Sequence, residues 1–348
     1  MKRIVCMMAL SFIGLSAIAQ SSSQYVPVTQ YWKEHNIFQH LDLSVVAGST
    51  GIGIDVASPV GDYVQLRAGY EFMPRFSKRM SFDLTINGKP ARAYDKDGNR
   101  QETTFDKMSD FLYEFTGLEV DDHVDMIGKP TMNNFKFLVD VFPFKQNKHW
   151  HFTAGFYWGL SRFAYAENSV EAMTSLMSVS IYNRMYEKAM NDDPLFDFSK
   201  MGIDISGSIE AQDLIYDKIK SMGPLGFDVG TFKHDMTDDK GGVHHAGEKY
   251  ILVPDENCMV HVDAKSSAFK PYLGFGYGGR LVKGRDDWKI SFDCGALFWG
   301  KTTLKTHDGV DLVADLDNIN GKIGSYVKLY KAFVVYPVLS LRLTKTLF

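Results

Sequence analysis

Cysteine is scarce, with three in 348 residues, and Cys6 falls in the leader described below. Cys258 and Cys294 remain, too few for a disulfide framework; they are read as unpaired thiols, with one bond between them as the alternative in an oxidising compartment. Beyond the first twenty residues no continuous apolar run approaches the roughly 20 residues of a spanning helix, which excludes helical membrane proteins. No block of basic residues occurs and the net charge is −4, so nucleic acid is excluded as a partner. No G-x-S-x-G elbow is present and no Ser, His and acid can be grouped. A non-enzymatic protein without a cofactor or a metal is therefore expected.

The first residues have the order of a secretory signal: Lys2 and Arg3, a mostly apolar run from Ile4 to Ile18, then Ala17-Ile18-Ala19 before Gln20. Cleavage between Ala19 and Gln20 is expected, followed by an N-terminal periplasmic segment over 20–38.

From 39 to 348 the dominant pattern is alternation with period two, which marks strands with one apolar and one polar face. Eight segments show it. Leu41, Leu43 and Val45 are followed across GSTG by Ile52, Ile54 and Val56, read as a hairpin, with one bulged strand as the alternative. The third sets Val64, Leu66, Ala68, Tyr70 and Phe72 against Gln65, Arg67 and Glu71. In the fourth, Phe135, Phe137, Val139 and Val141 oppose Asn134, Lys136 and Asp140. The fifth sets Trp150, Phe152, Ala154, Phe156 and Trp158 against His151 and Thr153, and the sixth sets Phe269, Leu273, Phe275 and Tyr277 against Lys270, Tyr272 and Arg280. The seventh sets Trp288, Ile290, Phe292, Cys294, Ala296 and Phe298 against Lys289, Ser291, Asp293 and Lys301. The last, starting at Phe333, sets Val335, Leu339, Leu341 and Leu343 against Ser340, Arg342 and Thr344.

Aromatics gather near the strand ends: Tyr63 and Phe72, Trp150 and Trp158, Trp288 and Phe298. The connections SPVGD, PFKQNKH and LVKGRDD are tight, while those at about 76–130, 166–265 and 302–330 are long. Both features are those of an outer-membrane barrel, with its interfacial girdles, short periplasmic turns and long external loops. The expectation is an all-β dominated, closed antiparallel up-and-down transmembrane β-barrel of about eight strands, with large, partly helical extracellular insertions. A soluble periplasmic β-protein is the alternative on fold.

The runs TGIGIDVASPVGDYVQLRAGYEFMP and PYLGFGYGGRLVKGRDDWKISFDCGALFWG, with a terminal strand ending in Phe348, resemble the outer-membrane β-barrel proteins of Bacteroidetes. The resemblance covers the barrel strands and implies location in the cell outer membrane. It also implies contact with outer-membrane lipid and lipopolysaccharide, and insertion by the barrel assembly machinery, which reads Phe348 as its C-terminal signal. Phe348 comes into phase with Leu339, Leu341 and Leu343 only if the strand bulges near Lys345.

An eight-stranded barrel has an interior about wide enough for its own side chains. The inward charges Arg67, Lys136, Lys270, Lys289 and Arg342 face Asp42, Asp55, Glu71, Asp140 and Asp293, and are expected to pair and plug the lumen. Three helices are expected outside the barrel. One carries Val170, Met173, Met177, Ile181 and Met185 behind a capping box of Asn168 and Glu171. Another carries Met108, Phe111, Leu112 and Phe115 and ends at Gly117; a third carries Ile215, Ile219 and Met222 and stops at Gly223. Asp95 to Asn99 reads as a hairpin with a DG turn, not a calcium loop, because position twelve is Asp106. The group His234, Asp235, Asp238, Asp239, His244 and His245 matches no defined metal spacing and reads as a polar loop tip.

The functional expectation is a non-enzymatic surface protein whose folded cap serves binding or adhesion, with an extracellular protein or glycan as partner. A porin-like channel or ligand carrier is the first alternative and an outer-leaflet lipid-modifying enzyme the second. His149 and His151 lie beside a predicted periplasmic turn, on the wrong side for the latter.

Overall fold

The computed structural model describes residues 28–144, 146–194 and 209–347; the expected cleavage site at Ala19 and Gln20, and Phe348, lie outside them. Eight antiparallel strands close into a barrel: β1 (Asp42–Gly48), β2 (Gly51–Pro59), β3 (Val64–Phe72), β4 (Asn133–Val141), β5 (Trp150–Gly159), β6 (Phe269–Arg280), β7 (Trp288–Phe298) and β8 (Val335–Thr346). Each strand pairs with the next in the chain, and β8 closes on β1 with Asp42 opposite Thr346 and Gly48 opposite Ser340. The topology is thus up-and-down, and the eight alternating segments are its eight staves. GSTG forms the β1–β2 hairpin, Gly48 pairing with Gly51, which removes the bulged-strand alternative. Lys301 falls beyond β7, and Phe333 precedes β8, where its carbonyl accepts the Trp299 indole N–H at 2.6 Å. The β7–β8 ladder runs unbroken through Lys345, so the bulge that would bring the chain end into phase with Leu339, Leu341 and Leu343 does not occur at Lys345.

Period two decides which way each side chain points. Val45, Ile54, Tyr70, Phe152, Leu273, Phe292 and Leu341 are exposed on the outer wall, while Arg67, Lys136, Asp140 and Asp293 are buried inside. Tyr63, Phe72, Trp150, Trp158 and Phe298 are exposed near strand ends. Residues 60–63, 142–149 and 281–287 connect strands at one end, hereafter the short-turn end. The short helix α1 (Val28–Glu34) precedes the barrel there, and Phe38 N–H donates to the Pro59 carbonyl at 2.9 Å.

At the other end the long connections fold into one cap. Five consecutive staves, β3 to β7, continue past the rim as strands Lys78–Asp83, His123–Pro130, Arg162–Asn168, His261–Lys265 and Thr303–Thr306. These form a five-stranded sheet in the same left-to-right order as the staves that carry them. A second small sheet is centred on Leu225–Phe232, which pairs with Lys249–Leu252 and with Thr85–Ile86. Helices α2 (Thr104–Thr116), α3 (Met173–Met190), α4 (Ile209–Met222) and α5 (Gly321–Ala332) complete it. The cap core includes Leu84, Ile86, Met108, Leu112, Leu176 and Ile219, all at or near zero exposure.

Local chemistry accounts for most of these elements. Thr103 and Asp106 form a reciprocal capping box at the start of α2, and Gly117 ends it in the left-handed conformation at φ 69°, as only glycine does without steric cost. The side chain of Phe115 lies outside the described residues. Asn87 and Gly88, both at positive φ, make the LTING hairpin. Asp95 closes its own hairpin by accepting the N–H groups of Asp97 and Asn99 at 2.9 Å each.

The α3 expectation needs correction. The helix starts at Met173 after Ala172, with no side-chain cap. Asn168 is instead the last residue of a strand, where its side-chain oxygen accepts Val260 N–H at 2.9 Å. Val170 is 80% exposed and Met177 also faces out, whereas Leu176, Val179, Tyr182 and Met185 carry the buried face. An amide already committed to a neighbouring strand cannot cap, so the helix starts a turn later and buries a different stripe.

Candidate functional site

Two places on this scaffold concentrate chemistry: the barrel lumen and a cleft in the cap. In the lumen, Arg67 projects from β3 to Asp140 at 2.8 Å, Asp293 at 3.5 Å and Asp55 at 3.7 Å. Lys136 holds Asp55 at 2.9 Å and pairs closely with Glu71. Arg342 reaches Asp293 at 3.4 Å and Asp140 at 3.6 Å. Hydroxyls complete the acceptors' shells: Thr153 donates to Asp140 and Thr50 to Glu71, each at 2.6 Å. A carboxylate held by two cations and a hydroxyl is the arrangement that makes a dry interior tolerable to charge.

The lumen assignments divide into three groups. Arg67, Glu71, Lys136, Asp140, Asp293, Arg342 and Asp55 come together in one network. Lys289 does not join it: its side chain is 45% exposed and lies 4.0 Å from Asp42, near the short-turn mouth where water competes. Lys270 points inward but meets no carboxylate among the described residues; it donates to the Asn134 side-chain oxygen at 3.0 Å and to the Leu160 carbonyl at 3.4 Å. Nearby backbone carbonyls at the rim replace the expected counter-charge.

Two further components of the lumen escape the sequence reading. His151, on β5, contacts Asp293 at 2.8 Å through Nε2 and lies 3.3 Å from Arg342. Beside the charges, at the level of Arg67 and Lys136, Leu138, Tyr157, Tyr272, Leu297 and Val338 form a buried apolar cluster. The Tyr272 ring lies over Gly274 and Gly295, where no Cβ could fit without displacing it. The interior is also not filled throughout. Its short-turn half opens into a vestibule of about 1370 Å³, lined among others by His40, Lys148, His149, Arg280 and Lys289. Burial, with Lys289 and Lys148 nearby, holds His40 below the usual imidazole range despite Asp42.

In the cap, titratable groups form local pairs. Arg92 holds the Asp122 carboxyl down to about 2 through close hydrogen bonds, with His123 adding to the effect. Tyr250 donates to both oxygens of Asp308, at 2.7 and 2.6 Å, and burial together with that carboxylate pushes its phenol far up. The polar loop tip disperses into separate contacts, His244 with Asp238 at 3.1 Å, His245 with Asp235 at 3.6 Å and His234 with Asp315 at 3.5 Å. Cys258 and Cys294 are free thiols, one in the cap and one on the barrel wall.

The second site is a cleft of about 340 Å³ between the inner face of the five-stranded sheet, α5 and the Leu225–Phe232 sheet. Gly128, Ala164, Ala166 and Ala264 form its floor, Phe227, Val229 and Leu252 its back wall, and Ile323, Tyr326, Val327 and Tyr330 its roof. The roof residues recur at helical spacing on one face of α5. No Asp or Glu lines it. Its walls come from many separate segments, so no local pattern announces it.

No family profile matches the chain and no curated protein matches it. Among solved structures, CarO2 of Acinetobacter baumannii is similar at a TM-score of 0.36 and 13% identity, over 88% of this chain and 98% of that one. CarO of the same organism is similar at a TM-score of 0.36 and 12% identity, over 94% of this chain and all of the other. Likeness at that level leaves the functional argument to the residues themselves.

Proposed function

We propose that the chain is an outer-membrane barrel protein whose cap stands outside the cell and binds a ligand there, with no catalytic step. The observation that carries this reading is the inversion of the barrel: aliphatic and aromatic side chains cover its outer wall while seven charged groups are buried at its centre. In water so continuous an apolar surface would drive association; in a bilayer it is the expected solvent-facing side of closed strands. Short turns then face the periplasm and the cap faces the medium. The narrower likeness to Bacteroidetes barrels belongs to this proposal; its two runs fall on the β2–β3 and β6–β7 hairpins. Cleavage before Gln20 and use of Phe348 by the assembly machinery belong to it as well.

A binding role is favoured over a catalytic one because His149 and His151 lie at the short-turn end, far along the staves from the cap. One observation favours the carrier reading, namely the vestibule, which could admit a periplasmic solute. The charge network and apolar cluster separate that vestibule from the cap, and this supports a closed lumen.

The test combines three measurements on the full chain, two on the refolded protein and one on whole cells. Electrophoresis in mild detergent should show a faster band that shifts on boiling. Protease added to whole cells should cut within 166–265 while leaving the staves protected. Planar bilayers should show no steady openings. A barrel absent from the outer membrane refutes the reading, and regular ion conductance replaces it with the channel alternative.

A further inference from the structure

We infer that the cleft beneath α5 binds one single-chain amphiphile with an anionic head, of the fatty-acid class, its tail lying over the small residues of the sheet and its head at Lys78. A sheet face under a helix is ordinarily filled by large side chains at close-packed density. Here the rows that should carry them are hollowed. Gly128 pairs with Ala166 and with Lys78, and Ala164 pairs with Ala264. A Cβ on Gly128 would stand 2.9 Å from Met80 Cε, so over that glycine the cleft is bordered by a flexible methionine tip in place of a fixed side chain. The resulting space is at the lower end of the roughly 300–1,000 Å³ of ligand pockets, enough for one small ligand.

Its shape and charge narrow the occupant. The row Lys78, Gly128, Ala166 and Val262 crosses four neighbouring strands, a span of roughly 15 Å at the inter-strand spacing, which suits an extended chain. The lining carries no carboxylate and is apolar or aromatic apart from Lys78 and from Lys129, which borders the cleft through its strand. Alternation puts Lys129 and Tyr165 on the opposite face of the sheet, where Lys129 is occupied by Glu167 and stands over the Tyr165 ring. Lys78 is on the cleft face of the edge strand, exposed, with no acidic partner among the described residues. One unpaired cation at the end of an apolar groove is complementary to an anion at the end of an apolar chain. Access lies between α5 and the edge strand, which are held by Lys322 donating to the Ser81 carbonyl at 3.1 Å and by the Phe82 and Tyr326 rings at 6.1 Å.

The inference deepens the surface-cap reading and rests on it only in requiring that the cleft face the medium. The test is calorimetric titration of dodecanoate, dodecanol and dodecyltrimethylammonium, below their micelle concentrations, into the full chain held in amphipol. The parent should bind one dodecanoate saturably. Lys78→Gln should weaken dodecanoate about tenfold, the loss of one charge-assisted contact, and leave dodecanol unchanged. Ala166→Phe, which fills the floor, should abolish binding of both; Gly128→Val serves if that variant loses its heat-shifting band. No saturable binding by the parent overturns the inference, as does parent-like binding by the filled variants, which would place the chain on the outer barrel wall. Equal affinity for the cationic amphiphile overturns the role of Lys78. If these fail while the barrel remains in the outer membrane with a cleavable cap, the inference falls alone; if the barrel is elsewhere, the functional reading falls.

Discussion

Replacing Arg67 with Met tests the lumen most severely, because this guanidinium serves Asp140, Asp293 and Asp55 at once. After its removal four carboxylates, Asp55, Glu71, Asp140 and Asp293, would share Lys136 and Arg342, with His151 still contacting Asp293. Breaking a buried pair by deleting one partner costs about 3–5 kcal/mol, since the other is left as an uncompensated charge. Arg342 and Lys136 retain contact with all three orphaned groups, which puts the expected loss near the lower bound, about 3 kcal/mol. That corresponds to roughly a hundredfold in the folded-to-unfolded ratio. Urea unfolding of the refolded protein in lipid vesicles, followed by tryptophan fluorescence, measures it. Adding Asp140→Asn should recover part of the loss by removing one of the stranded charges. A loss within the about 0–1 kcal/mol of a surface ion pair, or a double variant weaker than the single one by the full sum, refutes the network.

Three further outcomes follow from particular contacts. Asp122 is held below its unfolded value by Arg92, so its contribution is present above about pH 4 and fades as pH falls toward its folded value of about 2. Thermal unfolding of Asp122→Asn should therefore trail the parent at pH 6 and converge with it near pH 2; a constant gap contradicts the assignment. Gly295→Val should displace the Tyr272 ring that rests on that glycine, and the heat-shifting band should weaken or vanish in detergent gels. Leu176→Ala removes a fully buried side chain from the cap core, at about 2–5 kcal/mol. Limited proteolysis should find the cap cut faster while the staves resist as before.

The staves were legible in the sequence because their two faces meet opposite solvents. Phe135, Phe137 and Val139 alternate with Asn134, Lys136 and Asp140, and a one-residue slip would bury the wrong set. The apolar lumen cluster was not legible for the same reason in reverse. Leu138 sits between Phe137 and Val139, and Leu297 between Ala296 and Phe298, so an inward aliphatic beside outward ones leaves no alternation to read. The cap sheet was missed because two to five residues, such as Thr131 and Met132, separate each of its strands from the stave below. Its inner face is also marked by small residues, Ala164 and Ala166, which carry no hydrophobic signal. Helix ends were readable where a cap was local, as at Thr103 and Gly117, and misread where Asn168 was claimed by Val260, ninety-two positions away in the chain. His151 went unassigned because its partner Asp293 lies two staves away, and the two meet only because Gly276 between them on β6 carries no side chain.

The passage of five staves into the cap sheet, each across only two to five residues, has a mechanical consequence. A domain tied to a barrel by loops can swivel, but one built from prolongations of the wall moves only with it. Whatever docks above the rim meets a surface held at constant height and heading, and a pull on that surface is borne by hydrogen-bonded ladders. The support is lopsided, since β1 and β2 turn back at the rim through GSTG and β8 is entered from α5, which leaves five of the eight staves to carry the sheet.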